Sequence, residues 1–201
     1  IDISSDGLPY EITISQVQSS LPFPFIKHKV ISFSDSIDSC TLLKNDTLVI
    51  FSKNPSDGPS KLTFFQYPDY QAIEILNIPF DIQQMKADPT NDNCFYFLKS
   101  ERLFIGQILQ TQFNYQFIFN QVIDESDVIR YDVSLSYIAI LQTEKRTLNG
   151  IDQISHKLSA LRRTEGLFPT LQFFDSFNNV KENPQIFVDE TDLYFWHSTS
   201  L

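Results

Sequence analysis

The hydrophobic residues of this chain occur in short blocks in which apolar side chains recur at every second position. The clearest blocks lie between residues 80 and 123, where Phe95 and Phe97 flank Tyr96. A spacing of two is the period of a β-strand, and the blocks are too short for helices. Polar segments such as Pro89–Asn93 separate them. The pattern predicts four short strands, with Phe95 and Phe97 buried on one face of a strand and Tyr96 on the opposite face.

The same pattern recurs on both sides of this stretch. The strands predicted upstream are Tyr10–Val17, Phe25–Phe33, Ile37–Leu43, Thr47–Lys53, Lys61–Tyr67 and Gln71–Ile78. Downstream, we expect a strand at Thr170–Phe177 and a closing strand pair from Pro184. The segments that begin at Ile37, Phe80 and Ser126 correspond in hydrophobic phase. Because one four-stranded unit cannot bury both of its faces alone, the units are expected to stack on one another.

Composition supports a fold made mostly of strands. The chain contains 19 Phe, 8 Tyr and 1 Trp, and aromatic residues suit the pleated surface of a sheet. A hydrophobic content of 42% excludes wholesale disorder. No apolar run approaches the roughly 18 residues that a membrane-spanning helix needs.

A repeat of about 40 to 50 residues with four strands in each unit resembles the WD40-like β-propeller superfamily. The resemblance is one of pattern, because the chain lacks the Gly-His and Trp-Asp dipeptides of the WD40 motif. It implies an all-β fold of four-stranded antiparallel blades in one domain, or part of one, over residues 1–201. The units would be residues 37–78, 80–123 and 126–183, with partial blades at 1–33 and 184–201.

Two questions about this architecture stay open in the sequence. The units correspond either to a small four-bladed ring or to part of a ring of six to eight blades whose remainder lies elsewhere. We favour the larger ring, because four-bladed rings are uncommon and an open half-ring by itself would leave bare edge strands. The alternative architecture is a β-sandwich or barrel with regular hairpins.

The third unit contains an interruption at residues 147–166 with a different spacing. Ile151, Ile154, Leu158 and Leu161 are separated by 3, 4 and 3 positions, which is typical of one face of an amphipathic helix. The sequence therefore predicts a single helical insert that projects from the sheets.

This insert also carries the predicted partner-binding residues. Binding elements often lie in insertions on a rigid sheet scaffold, and two arginines follow the apolar positions here. The residues predicted to contact a partner are Ile154, Leu158, Leu161, Arg162 and Arg163. The alternative is that the leucines pack on their own unit, in which case the insert is structural.

The net charge restricts the kinds of partner that the protein can bind, and the cysteine content restricts the cellular compartment in which it is expected. The net charge of −10 repels phosphate backbones and anionic membranes. We therefore expect neither direct nucleic-acid binding nor membrane binding, but a protein partner, to which a basic surface would be complementary. Cys40 and Cys94 are too few for a disulfide scaffold, and free thiols favour an intracellular location in the cytoplasm or nucleus.

The sequence contains no recognisable catalytic or cofactor motif. It has no Gly-rich phosphate loop and no nucleophile elbow. His28, His156 and His197 lack metal-ligand spacing, so no cofactor and no metal are expected. The sequence thus predicts a non-enzymatic scaffold for protein–protein interactions, a subunit of a multiprotein intracellular complex. The alternatives are a hydrolase with its site in a propeller funnel and a barrel that binds a hydrophobic ligand.

Overall fold

The structure is a computed structural model that describes ten segments of the chain. These segments are residues 2–4, 10–17, 25–33, 35–53, 58–66, 69–112, 114–148, 151–163, 170–178 and 184–196. Their regular secondary structure consists of β-strands, and they contain no helix. Accordingly, no helix in these segments is long and apolar enough to cross a membrane.

The strands of the described segments form five antiparallel sheets, and within each sheet every strand pairs with its neighbour in sequence. Sheet 1 contains β1 (Asp2–Ser4), β2 (Tyr10–Val17) and β3 (Phe25–Phe33). Sheet 2 contains β4 (Ser36–Leu42), β5 (Thr47–Lys53), β6 (Ser60–Gln66) and β7 (Gln71–Ile78). Sheet 3 contains β8 (Gln83–Ala87), β9 (Cys94–Lys99), β10 (Arg102–Gln110) and β11 (Tyr115–Gln121). Sheet 4 contains β12 (Val128–Val133), β13 (Tyr137–Leu148), β14 (Ile151–Arg162) and β15 (Thr170–Asn178). Sheet 5 contains β16 (Gln185–Val188) and β17 (Leu193–Trp196).

The all-β class and the four-stranded antiparallel units predicted from hydrophobic alternation are confirmed. Strands β2, β3, β5 and β7 have the predicted bounds, and β4 and β6 each begin one residue earlier than predicted. Among the described residues, the two terminal pairs belong to separate sheets: sheet 1 contains β1 as well as β2 and β3, and sheet 5 contains β16 and β17.

The helix predicted within residues 147–166 is wrong. From Tyr137↔Arg162 to Leu148↔Ile151, β13 and β14 pair continuously over 12 residues each, while residues 164–166 lie outside the described segments. The sequence between the two strands is Asn-Gly, which is a strong signal for a two-residue hairpin turn.

The helical spacing was misleading because β14 is covered on both faces. Leu158 lies opposite Leu141 and contacts the core shared with sheet 5, whereas Leu161 lies opposite Ile138 and contacts the core shared with sheet 3. Residues three positions apart lie on opposite faces of a strand. A strand buried on both faces needs no alternation, so its apolar residues can match a helical period by chance.

Hydrophobic cores lie between each sheet and the next one along the chain. Sheets 1 and 2 share a core that includes Ile12 and Ile50. The core between sheets 2 and 3 is rich in phenylalanine, and two smaller cores join sheets 3 and 4 and sheets 4 and 5. Each of the inner sheets therefore has two apolar faces, which explains why alternation with polar residues is weak in their central strands.

Strand β9 confirms the prediction for Phe95, Phe97 and Tyr96. It lies between β8 and β10. Phe95 and Phe97 are fully buried in the core shared with sheet 2, and Tyr96 is buried in the core shared with sheet 4.

The first strands of sheets 2 to 5 lie next to one another in chain order, and polar side chains connect them. The Met85 amide in β8 donates a hydrogen bond to Ser39 Oγ in β4 (2.9 Å). The Val188 amide in β16 donates to Asp132 Oδ2 in β12 (2.8 Å). Asp132 also forms an ion pair with Lys86 of β8. The buried carboxylate of Asp132, in β12, thus contacts the first strands of the two neighbouring sheets, β8 and β16.

Candidate functional site: an aromatic groove between sheets 2 and 3

The residues predicted to bind a partner do not form one surface. Ile154 is 52% exposed and Arg162 is exposed, whereas Leu158 and Leu161 are buried on opposite faces of β14. The burial of the two leucines favours the structural alternative for them. The fifth residue, Arg163, is directed into the protein.

Arg163 connects sheet 4 to the loop that follows β8. Its Nη2 donates hydrogen bonds to Asp88 Oδ1 and Thr90 Oγ1, both at 2.6 Å, and its Nη1 donates to the Ser134 carbonyl (2.9 Å). Burial opposes ionisation of Asp88, but the hydrogen bonds from Arg163 and Thr90 outweigh it, so the pKa of this carboxyl is lowered. The guanidinium also lies over the ring of Tyr96, 5.7 Å from its centroid. These contacts give Arg163 a structural role, as the cation of an ion pair between sheets 3 and 4.

The thiol of Cys94 and the phenol of Tyr96, which lie near this ion pair, favour their protonated forms at neutral pH. Burial and the charge of Asp88 raise the pKa of Cys94 to about 11 and that of Tyr96 to about 12. A protonated thiol is a poor nucleophile. His156 is buried, which lowers its pKa. His197 and the side chain of His28 lie outside the described part of the chain, and the described residues contain no cluster of three metal-ligating side chains.

A groove of about 640 Å³ lies between the outer strands of sheets 2 and 3. We call it the Phe80 groove. Its wall on sheet 2 consists of residues 76–80, and its wall on sheet 3 consists of residues 115–119 together with Lys99. The two sheets contact each other through their first strands, so the groove lies at the opposite edge, where β7 and β11 are the last strands.

Half-buried phenylalanine rings form the floor of the Phe80 groove. Phe80 packs edge-to-face on Phe119 with 5.0 Å between ring centroids, and Phe119 packs similarly on the buried Phe97 at 6.0 Å. Phe117 stacks on Phe95 at 5.5 Å with an interplanar angle of 7°. The floor is therefore continuous with the rigid core and is preformed.

Gly106 makes this arrangement of rings sterically accessible. It lies in β10 opposite Phe95 and Phe119, on the face that contacts sheet 2. A Cβ atom at this position would lie 2.5 Å from Cε2 of Phe117 and 3.2 Å from Cε1 of Phe97. The Phe117 ring thus occupies the space that a side chain at position 106 would need.

Lys99 supplies the charge of the groove. Its Nζ lies 4.2 Å from the ring centroid of Phe80, 5.1 Å from that of Phe119 and 5.5 Å from that of Phe104. No carboxylate of the described residues lies within ion-pair distance of it, although Lys44, Lys53, Lys61 and Lys86 all have such partners. The lining of the groove contains no acidic side chain. The groove therefore has a local positive charge on a protein with a net charge of −10.

Two strand edges border the groove. β7 is the last strand of sheet 2, and β11 is the last strand of sheet 3. Neither strand pairs with another strand on its outer side within the described segments. Half of the backbone N–H and C=O groups of an edge strand point outward and are available for pairing.

Sequence reasoning missed this groove although it assigned the strands that form it. Tyr115, Phe117 and Phe119 alternate with polar residues, and that alternation shows a half-buried strand but not what lies opposite it. Lys99 and Phe80 are 19 positions apart in sequence, and their contact depends on how sheets 2 and 3 pack on their shared core. The signal available in the sequence was the concentration of phenylalanine near Lys99.

Comparison with known proteins assigns no family. No protein-family model matches the chain, and a search of curated proteins found no match.

Proposed function

We propose that the five sheets are consecutive blades of a β-propeller and that the chain is a non-enzymatic module for protein–protein interaction. The stacking of each sheet on the next supports the architecture, as does the row of first strands joined through Asp132 and Ser39. In a propeller, the first strands line the central axis and the blades diverge outward. A partner subunit of a stable complex is the expected ligand.

The Phe80 groove is the observation that supports the functional part of the proposal. It combines preformed aromatic area, a cation with no ion-pair partner among the described residues, and two strand edges, and these are features of protein-binding surfaces. The alternative, a binder of small hydrophobic ligands, has less support. Among the described residues, Phe95 and Phe97 pack against each other and against Phe117, and the remaining apolar space is an open groove rather than an enclosed cavity.

Native gel filtration tests the proposal. The protein, purified from the cells that produce it, is expected to elute well above the mass of its single polypeptide on a denaturing gel. The variant Phe80→Ser removes one ring of the floor and should release the chain from its complex. Phe187→Ser is the matched control, because Phe187 is 57% exposed and belongs to sheet 5.

The two variants give opposite outcomes if the groove binds the partner. Phe80→Ser should elute as a folded monomer whose melting temperature is lowered by only a few degrees, about the effect of 1 kcal/mol, while Phe187→Ser should elute with the complex. A wild-type chain that elutes only as a monomer would contradict the interaction function. A complex that survives Phe80→Ser would show that a different surface holds the partner.

A further inference from the structure

We propose that the Phe80 groove binds an extended peptide segment of its partner, which pairs with the edge of β11 and places an acidic side chain on Lys99. This inference rests on the function proposed above and specifies the chemistry of the partner. Three features of the groove lead to it: the charge of Lys99, the edge of β11 and the distribution of carboxylates around the groove.

The position of Lys99 selects a carboxylate. An ammonium group that lies over three aromatic rings is partly shielded from water, and its field is stronger there than in bulk solvent. Lys99, like Arg102, Arg130 and Lys145, has no carboxylate within ion-pair distance among the described residues. Lys99 differs from them in that it lies over aromatic rings in the lining of the groove. A carboxylate from outside the chain would complete this contact with a charge-assisted hydrogen bond.

The edge of β11 selects an extended backbone. Tyr115, Phe117 and Phe119 point into the groove at every second position. A peptide strand that pairs with β11 would direct its own alternate side chains over the same rings. The acidic side chain and the apolar side chains of the ligand would therefore occupy alternate positions, on the same face of its strand.

The opposite wall makes β11, rather than β7, the pairing strand. Leu76 and Glu74 lie on the face of β7 that is directed towards sheet 3, since they pair with Leu62 and Phe64 of the shared core. Glu74 would repel an acidic ligand that paired with β7. The groove is also open at its rim, where Pro79 and Gln116 are exposed, so a chain can continue past it. We therefore assign the carboxylate to a side chain rather than to a chain terminus.

Fluorescence anisotropy with blocked peptides tests the inference. The probes are acetylated, amidated peptides of about eight residues with apolar side chains at every second position. In each peptide one of these alternate positions is Glu, near the N-terminus in one peptide and near the C-terminus in the other. Each has a Gln counterpart. For the full-length chain, we expect the better Glu peptide to bind about tenfold more tightly than its Gln counterpart, because a charge-assisted hydrogen bond replaces a neutral one.

Two matched variants assign that difference to Lys99. Lys99→Gln should bind the Glu and Gln peptides equally, and Lys145→Gln should retain the preference, since Lys145 is an exposed residue of β13 outside the groove. A free C-terminal carboxylate on the Gln peptide should not restore the tight binding.

Several results would overturn the inference. The wild type could bind the Glu and Gln peptides with equal affinity, or the preference for Glu could persist in Lys99→Gln. A free C-terminal carboxylate on the Gln peptide could restore tight binding. Finally, no peptide could bind, whether or not a fluorescent fatty acid binds instead. In each of these cases a native complex that Phe80→Ser still disrupts would leave the proposed function standing. A wild-type chain that is monomeric in native extracts contradicts the proposed function itself.

Discussion

Nη2 of Arg163 lies 2.6 Å from Oδ1 of Asp88, and the two side chains are only 12% and 4% exposed. Asp88 follows β8 in sheet 3, and Arg163 follows β14 in sheet 4, so the ion pair connects consecutive sheets over 75 positions of sequence. A pair this well buried contributes little net stability relative to apolar residues, but the loss of one partner leaves the other charge without compensation.

Removal of Arg163 should therefore be strongly destabilising. We expect Arg163→Met to lower the free energy of unfolding by about 3–5 kcal/mol. In the double variant with Asp88→Asn, the loss should be smaller than the sum of the two single losses, because neither charge is left unpaired. Urea denaturation measures all three variants. Additive losses would show that the two groups do not interact.

The ion pair of Asp88 with Arg163 also predicts that the free energy of unfolding decreases at acidic pH. The pKa of Asp88 is lowered from its ordinary value of 3.8, so the folded state binds a proton at this site less readily than the unfolded state. The stabilisation is present above the unfolded pKa and is lost as the pH falls through the folded pKa. Between about pH 5 and pH 3, the urea midpoint of the wild type should therefore decrease more than that of Asp88→Asn. Parallel decreases would exclude Asp88 as the source.

Phe97 is a test of the core between sheets 2 and 3. It is fully buried and contacts the rings of Phe104 and Phe119. We expect Phe97→Ala to cost about 3–5 kcal/mol, from lost burial and from the cavity that remains. Ile118→Ala is the control on the same sheet, since Ile118 is 42% exposed, and its effect should stay within about 0.5 kcal/mol. A loss below about 1 kcal/mol for Phe97→Ala would contradict the strand assignment.

Gly106 should not tolerate a methyl group. Its Cβ would lie 2.5 Å from a ring atom of Phe117, and the ring must move to relieve this contact. We expect Gly106→Ala to lower the free energy of unfolding by about 1–3 kcal/mol. In the background of Phe117→Leu, where the ring is absent, the same substitution should cost less. If its cost is equal in both backgrounds, Phe117 is not the obstacle.

The strand β14 predicts unequal responses at positions that a helix would treat alike. Leu158→Asp and Leu161→Asp place a charge in the cores on opposite faces of sheet 4, and each should cost at least about 3 kcal/mol. Ile154→Asp should have little effect, because Ile154 is 52% exposed. Thermal unfolding compares the three variants. Similar losses at all three positions would favour a helical seam over the strand.

Local pattern was sufficient for most of the strands. Where one face of a strand is buried and turns are polar, alternation sets both the type and the bounds of the element, as for β7. It also sets which side chains share a face, as for Phe95 and Phe97. These properties depend only on the geometry of an extended backbone, and so the sequence by itself determined them.

Only the tertiary structure decided the nature of residues 151–162. Both faces of β14 are covered by neighbouring sheets, which removes the alternation and leaves a spacing that fits a helix. The pairing of Arg163 with Asp88 and the contact of Lys99 with Phe80 likewise join segments that are distant in sequence. Such contacts depend on how sheets stack, and stacking is decided by the shapes of whole faces rather than by the period of any one strand.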